Sequence, residues 1–308
     1  MKPISFRSNG KLMISGEYLV LAGAEALAVP LRLGQSMTVT KDGNEGRALE
    51  WTALQKGDEW FRAIFDTADF QIRCSTNGQT AETLRKLLLE ARLLNPTFLN
   101  DSFLWRVETR LEFDRHWGLG SSSTLVSNLA WWAGVDPYRL LFRTLGGSGY
   151  DLACARSAAP LVYRYRGQDE QALVEAVDFR PPFSGQLFFV YSGEKQSSAI
   201  SLKGFDASVA QASKVSRISM ITRELLRVEQ LEQFMQLLRE HESITGGAIG
   251  KAPVQELMFS DFPGVVKSLG AWGGDFLLAA SGLKGQEVFA YFKSRGFGTI
   301  FSFDELIA

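Results

Sequence analysis

Apolar residues from Leu12 to Val20 and from Leu27 to Val39 fall in short runs broken by Gly16, Gly23 and Pro30, which predicts strands joined by turns. The polar stretch Lys41 to Gly46 reads as a hairpin tip. Thr80 to Leu94 places Leu84, Leu87 and Leu88 at helical spacing and stops before Asn95-Pro96. Phe103 to Phe113 alternates as a half-buried strand would, and Gly118 to Ser123 then opens an apolar helix running through Ala133. Leu161 to Tyr165 and Gln186 to Tyr191 read as further strands. Between them, Pro181-Pro182 is the expected junction of two domains, 1–182 and 183–308. Val215, Ile218, Ile221, Leu225, Val228, Leu231, Met235 and Leu238 predict one long amphipathic helix that stops at Thr245-Gly246-Gly247. A strand over Phe276 to Ala280, a helix over Gly285 to Ser294 and a strand over Thr299 to Phe303 close the chain, which is α+β in class.

Composition narrows the function. The 308 residues carry 33 Lys and Arg against 34 Asp and Glu, a formal charge of −1, so there is no global attraction for nucleic acid or an anionic membrane. Any anionic ligand must be held locally. The two cysteines, Cys74 and Cys154, lie far apart and outside metal-ligand spacing, and both are expected to be reduced core residues. Met1 to Arg7 has no apolar signal core and no membrane-spanning run follows, so the expected address is cytoplasmic. His116 and His241 stand in unrelated contexts and are assigned no role.

Two phosphate motifs fail on spacing. Around Gly246 to Ala252, Thr245 stands where a Walker loop needs its first glycine and Ala252 where it needs the magnesium-binding hydroxyl. Gly118-Leu119-Gly120 continues to Ser123 where a dinucleotide fingerprint wants a third glycine. The strand, glycine loop, helix order at Gly118 to Ser123 nevertheless suits a triphosphate. Glycines admit a close backbone approach, the helix N-terminus offers unpaired N–H groups, and Ser121, Ser122 and Ser123 add hydroxyls. The same residues would also serve as a plain loop and helix cap.

Three separated segments together resemble the GHMP small-molecule kinases: Ser8 to Tyr18, Gly118 to Ser123, and Lys267 to Asp275. Gly16 to Leu21 and Gly147 to Ala153 are most similar to the mevalonate and phosphomevalonate kinase branch. The resemblance implies a two-domain GHMP kinase fold, with an N-terminal domain like domain 2 of ribosomal protein S5 and a C-terminal ferredoxin-like α/β sandwich. It implies ATP and Mg2+ as cofactors and a small-molecule substrate, mevalonate or phosphomevalonate among the candidates, in a monomer or homodimer without nucleic-acid or membrane partners. It further implies Asp151 as catalytic base and Lys11 as its electrostatic partner. Gly118, Leu119, Gly120, Ser121, Ser122, Ser123, Gly270, Ala271, Gly273 and Gly274 would line the nucleotide, with Ser122 on the metal. Without the motif, Asp151 reads as a helix cap and Lys11 as a surface lysine.

Several residues depart from the family pattern. Asn9 replaces the usual proline, and Trp272, standing where a small residue is usual, is expected to crowd nucleotide or substrate. The segment between Ser123 and Asp151 is short. The position where relatives supply a magnesium-binding acid falls on Leu140, and the nearest acid, Asp136, reads as the N-cap of a helix starting at Pro137. These departures motivate an alternative, a non-catalytic ligand-binding or regulatory protein on the same fold.

Overall fold

The structure is a computed structural model describing residues 2–168, 170–193, 205–207, 210–270, 272 and 275–308. Its compact packing falls into two units whose segments interleave: 1–10, 33–115 and 120–156 form one, and 11–32, 116–119 and 157–308 the other. Two strands, β1 (Ile4–Ser15) and β2 (Glu25–Glu45), run through both.

In the first unit the later half of β2 pairs antiparallel with β6 (Phe103–Leu111), which pairs parallel with β3 (Ala48–Gln55). Beyond β3 lie β4 (Asp58–Asp66) and β5 (Ile72–Ser75), each antiparallel to its neighbour. The expected hairpin tip at Lys41 to Gly46 is therefore different in kind: β2 continues to Glu45, and β6 is inserted between β2 and β3. The insertion is anchored by Asp101, which accepts from Lys41 Nζ (2.8 Å) and from Trp105 Nε1 (2.9 Å). Helices α1 (Gly78–Leu94), α2 (Ser121–Ala133) and α3 (Pro137–Thr144) cover one sheet face and bury Trp51, Phe61, Phe65, Leu84, Leu88 and Leu129 with it. Each such side chain contributes about 2–3 kcal/mol by leaving water. Asp136 caps α3 as expected, accepting from the Arg139 N–H at 2.8 Å. Cys74 is exposed on edge strand β5, contrary to expectation, whereas Cys154, in the short α4 (Tyr150–Ala155), is buried.

In the second unit the first half of β2 pairs with β7 (Leu161–Arg164), and β7 with β8 (Leu173–Ala176). A second, antiparallel sheet has the order β10 (Val265–Leu269), β11 (Phe276–Ala280), β9 (Leu187–Tyr191), β12 (Ile300–Ser302). The predicted single long helix is two, α5 (Ala212–Leu225) and α6 (Leu231–Ile249), and the second runs on through Gly246-Gly247. The apolar stripe stays in phase across residues 226–230, so periodicity alone does not mark the break. Short α7 (Val254–Met258), α8 (Gly285–Ser294) and α9 (Phe303–Leu306) complete the unit, and α8 packs Val288 and Phe292 against Phe188, Val190 and Leu277. The α+β class expected from the pattern is what the chain adopts. Among the described residues no helix is long and apolar enough to cross a membrane.

Candidate active site

The end of β1 is tied to the glycine loop. Lys11 donates its backbone N–H to the Leu119 carbonyl (3.0 Å) and its Nζ to the Gly118 carbonyl (3.1 Å), and it is 7% exposed. Lys11 is therefore no surface lysine; its ammonium is held at the entrance to the predicted phosphate loop. Gly118 has φ 69°, and the carboxyl of Asp275 fills the space a Cβ there would need, so this position admits glycine alone. Asp275 itself has φ 61° and sits directly before β11. Lys11, Gly118, Leu119, Gly270 and Asp275 thus form one constellation in the second unit. Ala271, Gly273 and Gly274 lie outside the described residues.

The remaining predicted site residues belong to the first unit. Gly120 (φ 95°) is the N-cap of α2, where no side chain caps the amides and no acid lies in the first turn. That end of a 13-residue helix keeps its positive dipole and N–H donors for an anion. Ser122 is exposed, while Ser123 is buried and donates its hydroxyl to the Gly120 carbonyl (2.9 Å), stiffening the turn. Beneath α2, Ser8 Oγ reaches Ser127 Oγ (2.9 Å) and Asn128 Oδ1 (2.8 Å), and Arg156 donates to the Ser127 carbonyl (2.8 Å). Asp151 lies inside the first turn of α4 and not at its cap, which is Gly149. Its Oδ1 is buried without a hydrogen-bond partner, a state that costs free energy unless something outside the fold uses it. The helix-cap reading of Asp151 is set aside on this geometry.

Leu140 is fully buried in the core, so the position matching the family's acid cannot hold a cation. Among the described residues no group of three or more His, Cys, Asp or Glu could bind a metal ion. What the first turn of α2 presents is uncapped backbone N–H groups and the exposed Ser122 side chain, donors of the kind that a phosphate and a largely hydrated Mg2+ would need.

Trp272 does not crowd this site. It is 6% exposed, lies against Gly246 of α6 and donates Nε1–H to the Ala252 carbonyl (3.2 Å). A larger residue than glycine at 246 would also meet the Lys251 carbonyl.

The sequence reading missed a buried polar cluster behind the constellation. Glu17 pairs with Lys267 Nζ, His241 Nε2 accepts the Gly16 N–H (2.8 Å), and Glu242 Oε1 accepts the Ser268 N–H (3.1 Å). Burial and the Lys267 charge hold His241 well below its ordinary pKa, so the ring is neutral with its proton on Nδ1. Burial pushes Glu17 up, partly offset by Lys267, and pushes Glu242 up to about 7. The signal for these residues was present, because Leu238, His241, Glu242 and Thr245 continue the buried stripe of α6.

A pH prediction follows from these shifts. Between 4.5, the ordinary value for Glu242, and about 7, folded Glu242 keeps a proton the unfolded chain has lost, so stability falls as pH rises through that window. His241 opposes this below 6.5, where only the unfolded chain binds its proton. Above about pH 6.5, up to its folded value of about 7, Glu242 acts without this opposition and Tm is expected to fall. Glu242→Gln should flatten that fall and stabilise the protein at pH 8 by about 1–3 kcal/mol. A Tm profile that Glu242→Gln leaves unchanged above pH 6.5 contradicts the assignment.

The mixed sheet, the second antiparallel sheet and the glycine loop opening α2 define the fold of the GHMP small-molecule kinases. Solved structures of that class match the chain end to end. The phosphomevalonate kinase of Streptococcus pneumoniae, in complex with phosphomevalonate and AMPPNP, superposes with a TM-score of 0.69 at 15% identity, over 97% of this chain and 99% of that one. The mevalonate kinase of Methanococcus jannaschii gives 0.68 at 13% identity over 97% of each chain. Lactococcus lactis galactokinase, complexed with galactose, gives 0.61 at 10% identity over 98% of this chain and 93% of that one. The likeness is one of fold. No family model matches the sequence, and no curated protein matches it.

Proposed function

We propose that the protein is an ATP-dependent small-molecule kinase that phosphorylates a hydroxyl, or a phosphate, of a small acid of the mevalonate or phosphomevalonate type. The observation that carries the reading is Lys11 Nζ on the Gly118 carbonyl at 3.1 Å, with the Asp275 carboxyl packed against the same glycine. A buried lysine Nζ fixed to a glycine loop would supply positive charge to the phosphates of a nucleotide held there. Residues 1–182 are assigned the nucleotide-binding domain and 183–308 the second domain, as the sequence suggests.

ATP supplies the transferable phosphoryl group when bound. The amides of Gly118 to Ser123 and the α2 N-terminus would hold its phosphates, and Ser122 would offer a hydroxyl to the accompanying Mg2+. As the motif resemblance implies, Asp151 would accept the proton of an acceptor hydroxyl, and Lys11 would offset negative charge on the phosphates. Phosphoryl transfer demands positioning and charge stabilisation more than covalent work from the protein, which suits a site with few reactive side chains.

Ser122→Ala is the first test. The side chain is exposed and has no hydrogen bond among the described residues, so Tm should stay within about 1 °C, as expected for a surface change worth under ~0.5 kcal/mol. MgATP use should weaken severalfold. Unchanged nucleotide affinity and turnover would remove Ser122 from the site.

A second reading, a ligand-binding protein without turnover, draws on Leu140 in the core and Asp136 spent on the α3 cap, which leave the segment before Asp151 without an available acid. Tight MgATP binding with no transfer to any acceptor would favour it.

A further inference from the structure

We propose that Glu17 and Tyr18 are positioning residues: with Lys267 they hold the backbone at Gly270 and Trp272, and Gly270 in turn packs against the Asp275 carboxyl that lies behind Gly118. This rests on the kinase reading for its functional half.

The three consecutive residues at the end of the first motif each grip a different point. The Gly16 N–H fixes His241 Nε2 (2.8 Å). The Glu17 carboxylate pairs with Lys267 Nζ and receives the Gly270 N–H. The Tyr18 hydroxyl accepts the Trp272 N–H (2.9 Å), and the Tyr18 ring packs edge-on to Phe205, 5.7 Å between centroids. Lys267 also donates to the Ser268 carbonyl (2.9 Å), so the exit of β10 is pinned just before Gly270.

Two features show that this arrangement does more than stabilise. Lys267 is 1% exposed and Glu17 4%, and a buried ion pair of this kind is commonly no more stable than apolar residues of equal volume. Tyr18 (φ 61°) and Asp275 (φ 61°) are two of the five non-glycine residues with positive φ among the described residues. For a bulky aromatic this is a strained conformation that persists only where surrounding contacts enforce it, and such strain gathers at functional sites. The strained residues stand at the two ends of the device, one holding the Trp272 amide and the other filling the space at Gly118.

The test uses two variants of the full chain. Glu17→Gln combined with Lys267→Met removes both charges at near-constant volume, and Tyr18→Phe removes only the acceptor for the Trp272 N–H. Hydrogen exchange at the Gly270 and Trp272 amides, measured without nucleotide, should accelerate about tenfold or more relative to β9 and β11 amides. MgATP affinity should weaken by about tenfold in the same variants, while Tm of Tyr18→Phe stays within about 3 °C of the parent. Parent-like exchange at both amides overturns the inference whatever the protein does with nucleotide. Faster exchange with parent-like MgATP affinity overturns it as well. A parent that binds no MgATP sinks the kinase reading and the inference with it, and is recognised before any variant is read.

Discussion

Asp151→Asn should transfer phosphoryl groups about a hundred- to ten-thousandfold more slowly than the parent, the range typical of a lost general base. The substitution keeps the shape of the side chain and removes only its capacity to take a proton. Because Asp151 Oδ1 makes no hydrogen bond within the fold, the change loses no hydrogen bond at that atom, and Tm should stay close to the parent's. MgATP affinity should also hold, since the residue acts on the acceptor. A variant that turns over at the parent's rate would remove Asp151 from the mechanism. One that loses MgATP affinity together with rate would assign it to nucleotide binding.

Lys267→Ala is expected to be the most damaging single change to the fold. It strands Glu17, 4% exposed, without its counter-ion and opens a cavity on β10, where all five residues are buried. Breaking a buried pair by removing one partner costs about 3–5 kcal/mol, a large share of the ~5–15 kcal/mol that holds a domain together. The loss should grow with pH. With Lys267 gone, burial acts on Glu17 against backbone hydrogen bonds alone, that of Gly270 among them, and its folded pKa is already raised with the lysine in place. A carboxyl whose folded pKa is raised costs stability as pH rises, because the unfolded chain gives up its proton first. Denaturant unfolding at pH 5.5 and pH 8 measures the difference, and an equal loss at both would mean that Glu17 is not the group left uncompensated.

Much of the fold was legible because it follows from local pattern. The leucines of α1, the alternation of β6 and the glycine loop opening α2 are short-range signals and appear where the spacing puts them. The insertion of β6 between β2 and β3 was not legible, since it depends on pairing Thr38 with Glu108 and Thr52 with the same residue, partners set by the whole sheet. The break between α5 and α6 was masked by a stripe that keeps its phase from Leu225 through Val228 to Leu231.

The candidate site divides in the same way. Lys11 and Gly118 stand out because motif spacing marks them, and the structure brings them into contact. Asp275 ends the third motif, but its packing against Gly118 arises only when β11 is in place. Glu17, Lys267 and Glu242 are charged residues that sequence reasoning sends to solvent. Their burial is a tertiary fact, and the position of His241 and Glu242 on the apolar face of α6 was its one local trace. Trp272, read as an obstruction, instead turns inward onto Gly246, because its indole N–H finds the Ala252 carbonyl there.

The most direct test of the central claim is acceptor-dependent release of ADP from MgATP by the full chain, measured with mevalonate, phosphomevalonate and other small hydroxy acids. The account predicts ADP release that requires one of these acceptors, yields its phosphorylated product in equal amount and collapses in Asp151→Asn. A folded parent that binds no MgATP and releases no ADP with any acceptor would contradict it.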